Sequence, residues 1–140
     1  MSKFKRENKV TREMAEKQVE LLNEFYDVDM DYMIDQVATV VQQHLLGITK
    51  AVVRGRISID ETDTGIVVTQ ILETPVEGID RITYKEIDAK AVAATDRAEG
   101  EAKVLAIVGA LTATDPEVLK TLSRVDKTTS EDLGNYFLFV

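Results

Sequence analysis

Few residues in this chain have the types and spacing that chemistry requires. Asp27-Val28-Asp29-Met30-Asp31 sets carboxylates at alternating positions, as the first half of a calcium loop does. That loop also needs Gly at its sixth position and Glu at its twelfth. Tyr32 and Ala38 stand there instead, so the aspartates read as caps leading into a helix. Asp63-Thr64-Gly65 spells the triplet of aspartic proteases, whose two facing carboxylates share one proton. The chain holds no second copy, and Glu61-Thr62 replace the apolar strand that should precede it. A polar hairpin turn is expected there.

His44 is the only histidine, and Gln42, Gln43 and Leu45 beside it offer no metal or nucleophile partner. It falls on an apolar helical stripe and is expected at a helix–helix or subunit contact. Buried there, it would make assembly sensitive to pH. With no cysteine, thiol catalysis, disulfides and thiolate metal sites are excluded. The seven glycines are scattered and form no phosphate loop. Gly109, inside an apolar helix, is expected to permit close packing. Met14, Met30 and Met33 are expected in the core. The residues thus name no catalytic, cofactor-binding or metal site, and a protein that is not an enzyme is expected.

The elements that would position any site follow from periodicity. Met14, Leu21, Leu22 and Phe25, extended by Ala15, Val19 and Tyr26, give an amphipathic helix over 11–26. Met33, Val37, Val40, Val41, His44 and Ile48 give a second from about Asp31 to Ile48, and the two form a helical hairpin. The pattern changes after Gly47. Arg56-Ile57-Ser58-Ile59-Asp60 alternates as a half-buried strand, Glu61 to Gly65 turns, and Ile66 to Leu72 is strand-like. Pro75 and Gly78 mark another turn before a short strand over Arg81 to Tyr84.

From Glu86 onward the chain reads as helical. Ile87, Ala91, Ala94 and Ala98 make a thin seam, and residues 101–113 are apolar enough for the centre of the core. Asp115 is a good N-cap, Pro116 fits the first helical position, and Glu117 favours the positive end of the dipole of a helix at 116–123. Thr128 and Glu131 suit a capping box for a last helix from about Ser130 to Phe139. The expected fold is α+β and predominantly helical. It is a single domain over 1–140, with a helical hairpin and basic tail at 1–53, a small antiparallel sheet at 54–84 and a helical bundle at 85–140.

Charge is uneven. Residues 1–60 carry 9 Lys+Arg against 10 Asp+Glu, and residues 61–140 carry 8 against 15. An acidic second half repels phosphate backbones, so nucleic acid is disfavoured as a partner. Lys3, Lys5, Arg6, Lys9 and Arg12 form one basic patch, expected to be a mobile, solvated tail. No signal peptide and no apolar stretch of the roughly 18–20 residues that cross a bilayer are recognised. A soluble, cytoplasmic protein is expected. The ending Tyr136-Phe137-Leu138-Phe139-Val140 is too apolar for water. It either folds back on the core or, together with Leu133, docks a partner.

Residues from about Leu72 to Leu138 carry Leu72-Glu73-Thr74-Pro75-Val76, Ile79 to Ile87, and Asp88-Ala89-Lys90-Ala91-Val92. Then come Ala110-Leu111-Thr112, Asp115-Pro116-Glu117-Val118-Leu119, Leu122, Asp126, Asp132-Leu133 and Phe137-Leu138. In order and spacing this half resembles the bacteriophage tail assembly chaperones of contractile- and long-tailed phages. Residues 1–60 depart from that pattern, whose strand region begins near the N-terminus. The resemblance implies a non-enzymatic helper in the host cytoplasm. It would hold the tape measure or tail tube protein during assembly and be absent from the finished virion. Leu133, Tyr136, Phe137, Leu138, Phe139 and Val140 are the expected partner-binding residues, and self-association is left open. The competing expectation is a small acidic regulator that binds and inhibits a nucleic-acid-binding enzyme, docking through residues 11–53.

Overall fold

A computed structural model describes residues 2–140. It is α+β and predominantly helical, with helices at both ends and a three-stranded antiparallel sheet between them. Helix α1 (Arg12–Phe25) opens on Thr11, whose hydroxyl accepts from the Met14 amide. Ala15, Val19 and Leu22 form its buried face, while Met14 is 53% and Phe25 40% exposed. The expected stripe is therefore rotated. Packing against α2 (Asp35–Val53) selects the side with the smaller residues, which lets the two axes approach.

Between them Asp29 caps a single 3-10 turn, Met30–Tyr32, by accepting from the Asp31 amide. Met33 stays extended, so α2 starts later than expected and runs through Gly47 to Val53. A Cβ on Gly47 would strike the Asp132 carboxylate, so this glycine marks a close approach inside a helix, not an end to one. The true end is Gly55 at φ +77. There the Arg56 amide donates to Ala51 and the Gly55 amide to Val52, the paired bonds of a Schellman cap.

Strands β1 (Ile57–Glu61), β2 (Ile66–Val76) and β3 (Ile79–Tyr84) lie in that order, with Ile59 opposite Val68 and Val68 opposite Tyr84. Alternation buries Ile57, Ile59, Ile66, Val68, Leu72, Ile82 and Tyr84 on one face. β2 extends past the expected Leu72, but its pairing with β3 breaks between Ile71 and Val76. The freed amides of Glu73 and Thr74 donate instead to the two carboxylate oxygens of Asp126, at 2.9 and 3.0 Å.

The long helix expected after Glu86 shrinks to α3 (Ala89–Ala93), capped by Asp88. An alanine seam buries too little to hold more, and only Ala91 of its residues is fully covered. Helix α4 (Gly100–Thr112) buries Ile107, Val108 and Leu111. The Asp115 cap and Pro116 start α5 (Pro116–Leu119) as expected, with the Asp115 carboxylate accepting from Glu117. Gly109 does allow close approach, though to the Thr114 carbonyl and Pro116 of its own following turn.

Helix α6 (Arg124–Phe139) begins well before Ser130, and its cap is Ser123 with Asp126, not Thr128 with Glu131. The Ser123 hydroxyl donates to Asp126 and accepts from its amide. Thr128 lies inside the helix and donates to the Arg124 carbonyl. α6 packs on α2, α4 and β2, so it shares the centre of the core expected for α4 alone. Among the described residues no helix is long and apolar enough to cross a membrane.

Candidate functional site

The C-terminal residues expected to meet a partner are mostly turned inward. Leu133, Tyr136 and Phe137 are buried, Leu138 and Val140 are half-buried, and Phe139 is 40% exposed. Phe137 stacks on Tyr84 at 5.6 Å and meets Tyr26 and Tyr136 edge-on. The Tyr136 hydroxyl donates to Asn23 on α1. Burial raises the hydroxyl pKa of both Tyr84 and Tyr136. Of the two fates foreseen for this segment, folding back on the core is the one adopted by Leu133, Tyr136 and Phe137, while Phe139 stays 40% exposed. The physical reason is aromatic area: α1, β3 and α6 converge on these rings and leave no water beside them.

One stretch of the apolar surface that faces water lies on α1; Ile34, Val40 and Leu46, on or beside α2, are exposed as well. Met14, Leu21 and Phe25 recur at i, i+7 and i+11, one stripe about 16 Å long beside the buried Ala15–Val19–Leu22 face. Its C-terminal half opens into a groove of ≈ 380 Å³ between α1 and the β1–β2 turn. Leu21, Phe25 and Ile66 form the floor, and Glu24, Glu61 and Asp63 stand around it. Gly65 has no Cβ to fill the space taken by Glu86 and the Phe25 ring edge, so Glu86 joins this rim. All four carboxylates are exposed, and among the described residues none is in an ion pair. Asp63-Thr64-Gly65 is the hairpin turn expected of it, with Gly65 donating to the Thr62 hydroxyl. Such a groove can seat apolar side chains and attract cations at its edge.

Further along the same buried face of the sheet, polar side chains lock α6 to β2. Gln70 is fully buried: its amide nitrogen donates to the Asp126 carbonyl, and its oxygen accepts from Tyr84 and Ser130. His44 and Asp132 join α2 to α6 through Nδ1 and Oδ1 at 3.0 Å, the helix–helix contact expected for this histidine. Burial raises the Asp132 pKa, and His44 works against that rise.

The basic tail is tied down rather than free. Arg6 makes a two-pronged contact with Glu73, Arg54 donates to the Arg6 carbonyl, and the Lys9 amide donates to Val53. The hydrogen bond from Arg6 leads the causes that hold the Glu73 carboxyl below its ordinary pKa.

Sequence reasoning placed Met14, Leu21 and Phe25 in the core and so missed the groove. The available signal was the breadth of the apolar arc on α1, which exceeds what one neighbouring helix can cover. Compared with known proteins, the chain matches no family model, no curated protein and no solved structure.

Proposed function

We propose that this chain is an assembly chaperone of a contractile- or long-tailed phage, working without bond-making chemistry in the host cytoplasm. It holds the tape measure protein until tube subunits polymerise and then leaves. The order of motifs from Leu72 to Leu138 supports the reading. The single observation that carries the binding role is the apolar groove on α1 with its unpaired carboxylate rim. Its occupant is an amphipathic helix whose apolar stripe inserts beside Leu21 and Phe25 and whose flanking lysines or arginines meet Glu24, Glu61, Asp63 and Glu86. A tape measure protein exposes long helical surface of this kind before its tube exists.

The test is co-purification with the tape measure protein of the same phage, comparing wild type with the double variant Met14→Glu, Phe25→Glu. Met14 is 53% and Phe25 40% exposed, so the variant is expected to keep the fold, which circular dichroism checks. Wild type captures the tape measure and keeps it in about 1 M salt, where charges are screened beyond about 3 Å. The variant loses at least about tenfold of that capture, the scale of two buried apolar anchors. No capture by wild type, where a known chaperone succeeds, sinks the chaperone reading. Equal capture by the variant sinks the groove. Capture of a basic enzyme that vanishes at high salt supports the regulator instead.

A further inference from the structure

The strongest positive charge in this acidic protein surrounds a cavity of ≈ 710 Å³ between the N-terminal segment, α2 and the start of α6. Lys5, Arg6, Lys50, Arg54, Arg56 and Arg124 line it, with Asp132 as the one carboxylate on the wall. Glu73 and Asp126 lie behind it and compensate only part of that charge. Glu73 is shared between Arg6 and Arg56, and Asp126 is occupied by the β2 amides. Lys5, Lys50 and Arg124 have no carboxylate within ion-pair distance among the described residues.

Arg56 is the informative residue. It is only 8% exposed, yet its guanidinium makes a long 3.4 Å bond to the Thr129 hydroxyl and a 3.6 Å contact with Glu73. A guanidinium has five donors, and since no buried side-chain nitrogen or oxygen among the described residues lacks a partner, the Arg56 donors without one reach solvent at the cavity wall. Burial, together with Arg6 and Arg54 nearby, pushes its pKa down, as expected of a cation crowded by cations. The arrangement is one that an anion would complete.

We propose that this cavity binds a compact polyphosphorylated small molecule, a di- or triphosphate, held by Arg56 and Arg124 with Lys50 and Lys5. Phosphoryl oxygens fit because guanidinium groups meet them two-pronged and ammonium groups as point charges. The ligand is small because the volume suits one and because the chain's net charge of -8 repels a polyanion continuing past the cavity. Bound there, it joins residues 5–6 to α2 and α6. The site is separate from the groove on α1, so either proposal stands without the other.

Isothermal titration calorimetry at low salt with inorganic tripolyphosphate tests the proposal. The comparison is between wild type, K50A/R124A at the cavity, and K90A/K103A, which removes the same charge elsewhere. Saturable one-to-one binding is expected, weakened at least about tenfold in K50A/R124A and less than about twofold in K90A/K103A. A glutamate-rich peptide and a single-stranded oligonucleotide bind more weakly than tripolyphosphate. Absent or non-saturable binding overturns the proposal, as does equal weakening in both variants. Tighter binding of the peptide or the oligonucleotide also overturns it, naming a macromolecular partner instead.

Discussion

Glu73 shows how one side chain couples the fold to pH. Its carboxylate takes the two-pronged Arg6 contact and the Arg56 contact, and the Arg6 hydrogen bond leads in holding its pKa below the ordinary value. A carboxyl with a depressed folded pKa adds stability that is present above its unfolded value, and loses it as pH falls through the folded value. Asp132 has the opposite sign. Burial raises its pKa, so protonation favours the folded state as pH falls toward the ordinary carboxylate range. Glu73→Gln therefore lowers the Tm near neutrality, and the gap from wild type narrows as pH falls from about 6 to about 3. Thermal melts across that range check it. A gap that stays constant would mean that Glu73 contributes only shape. Nothing in the sequence placed Arg6 beside Glu73, because 67 positions separate them and only the tertiary fold brings them together.

At the scale of elements, the sequence was most legible where a cap or a strict period announced itself. The Asp115-Pro116 start of α5 and the alternation from Ile57 are examples. It was least legible where a distant partner decided the outcome. Gly47 reads as a breaker until Asp132 of α6 is seen to need its space. Thr128 and Glu131 read as a capping box, but the same spacing in Ser123 and Asp126 won, since Asp126 also satisfies two strand amides. Gly134 is the clearest case. A Cβ there would lie 2.8 Å from both Val104 Cγ1 and Val108 Cγ2 and 3.3 Å from the Val104 carbonyl. Alanine improves helix propensity by about 1 kcal/mol, while overpacking costs about 1–3 kcal/mol. Overpacking wins because a backbone carbonyl cannot swing aside. Gly134→Ala is expected to destabilise by about 1–2 kcal/mol in urea, with Val108→Ala restoring part of the loss. Gly134→Ala more stable than wild type would show that α4 and α6 separate freely.

The whole molecule is held by convergence on α6 and the aromatic cluster beneath it. Phe137 from α6 is in ring contact with Tyr26 at the end of α1, Tyr84 from β3 and Tyr136, Tyr26 also meets Tyr136, and Asn23 anchors the Tyr136 hydroxyl. The groove and the basic cavity are equally composite. The groove joins α1 to the β1–β2 turn, and the cavity joins the N-terminal segment to α2 and α6, so no local motif could announce either. One apolar cluster runs from Ala15 to Phe137, and the N-terminal hairpin cannot leave without uncovering α6. Unfolding should therefore be a single transition, with circular dichroism and tyrosine fluorescence giving the same urea midpoint. Phe137→Ala puts that to its hardest test. Deleting a buried ring that touches three tyrosines costs about 3–5 kcal/mol, a large share of the roughly 5–15 kcal/mol that holds such a domain. Both probes should then shift together by the same amount. If Phe137 were a docking residue, its loss would leave the midpoint unmoved. If the hairpin were a separate module, tyrosine fluorescence would lose its signal while part of the helical signal persisted.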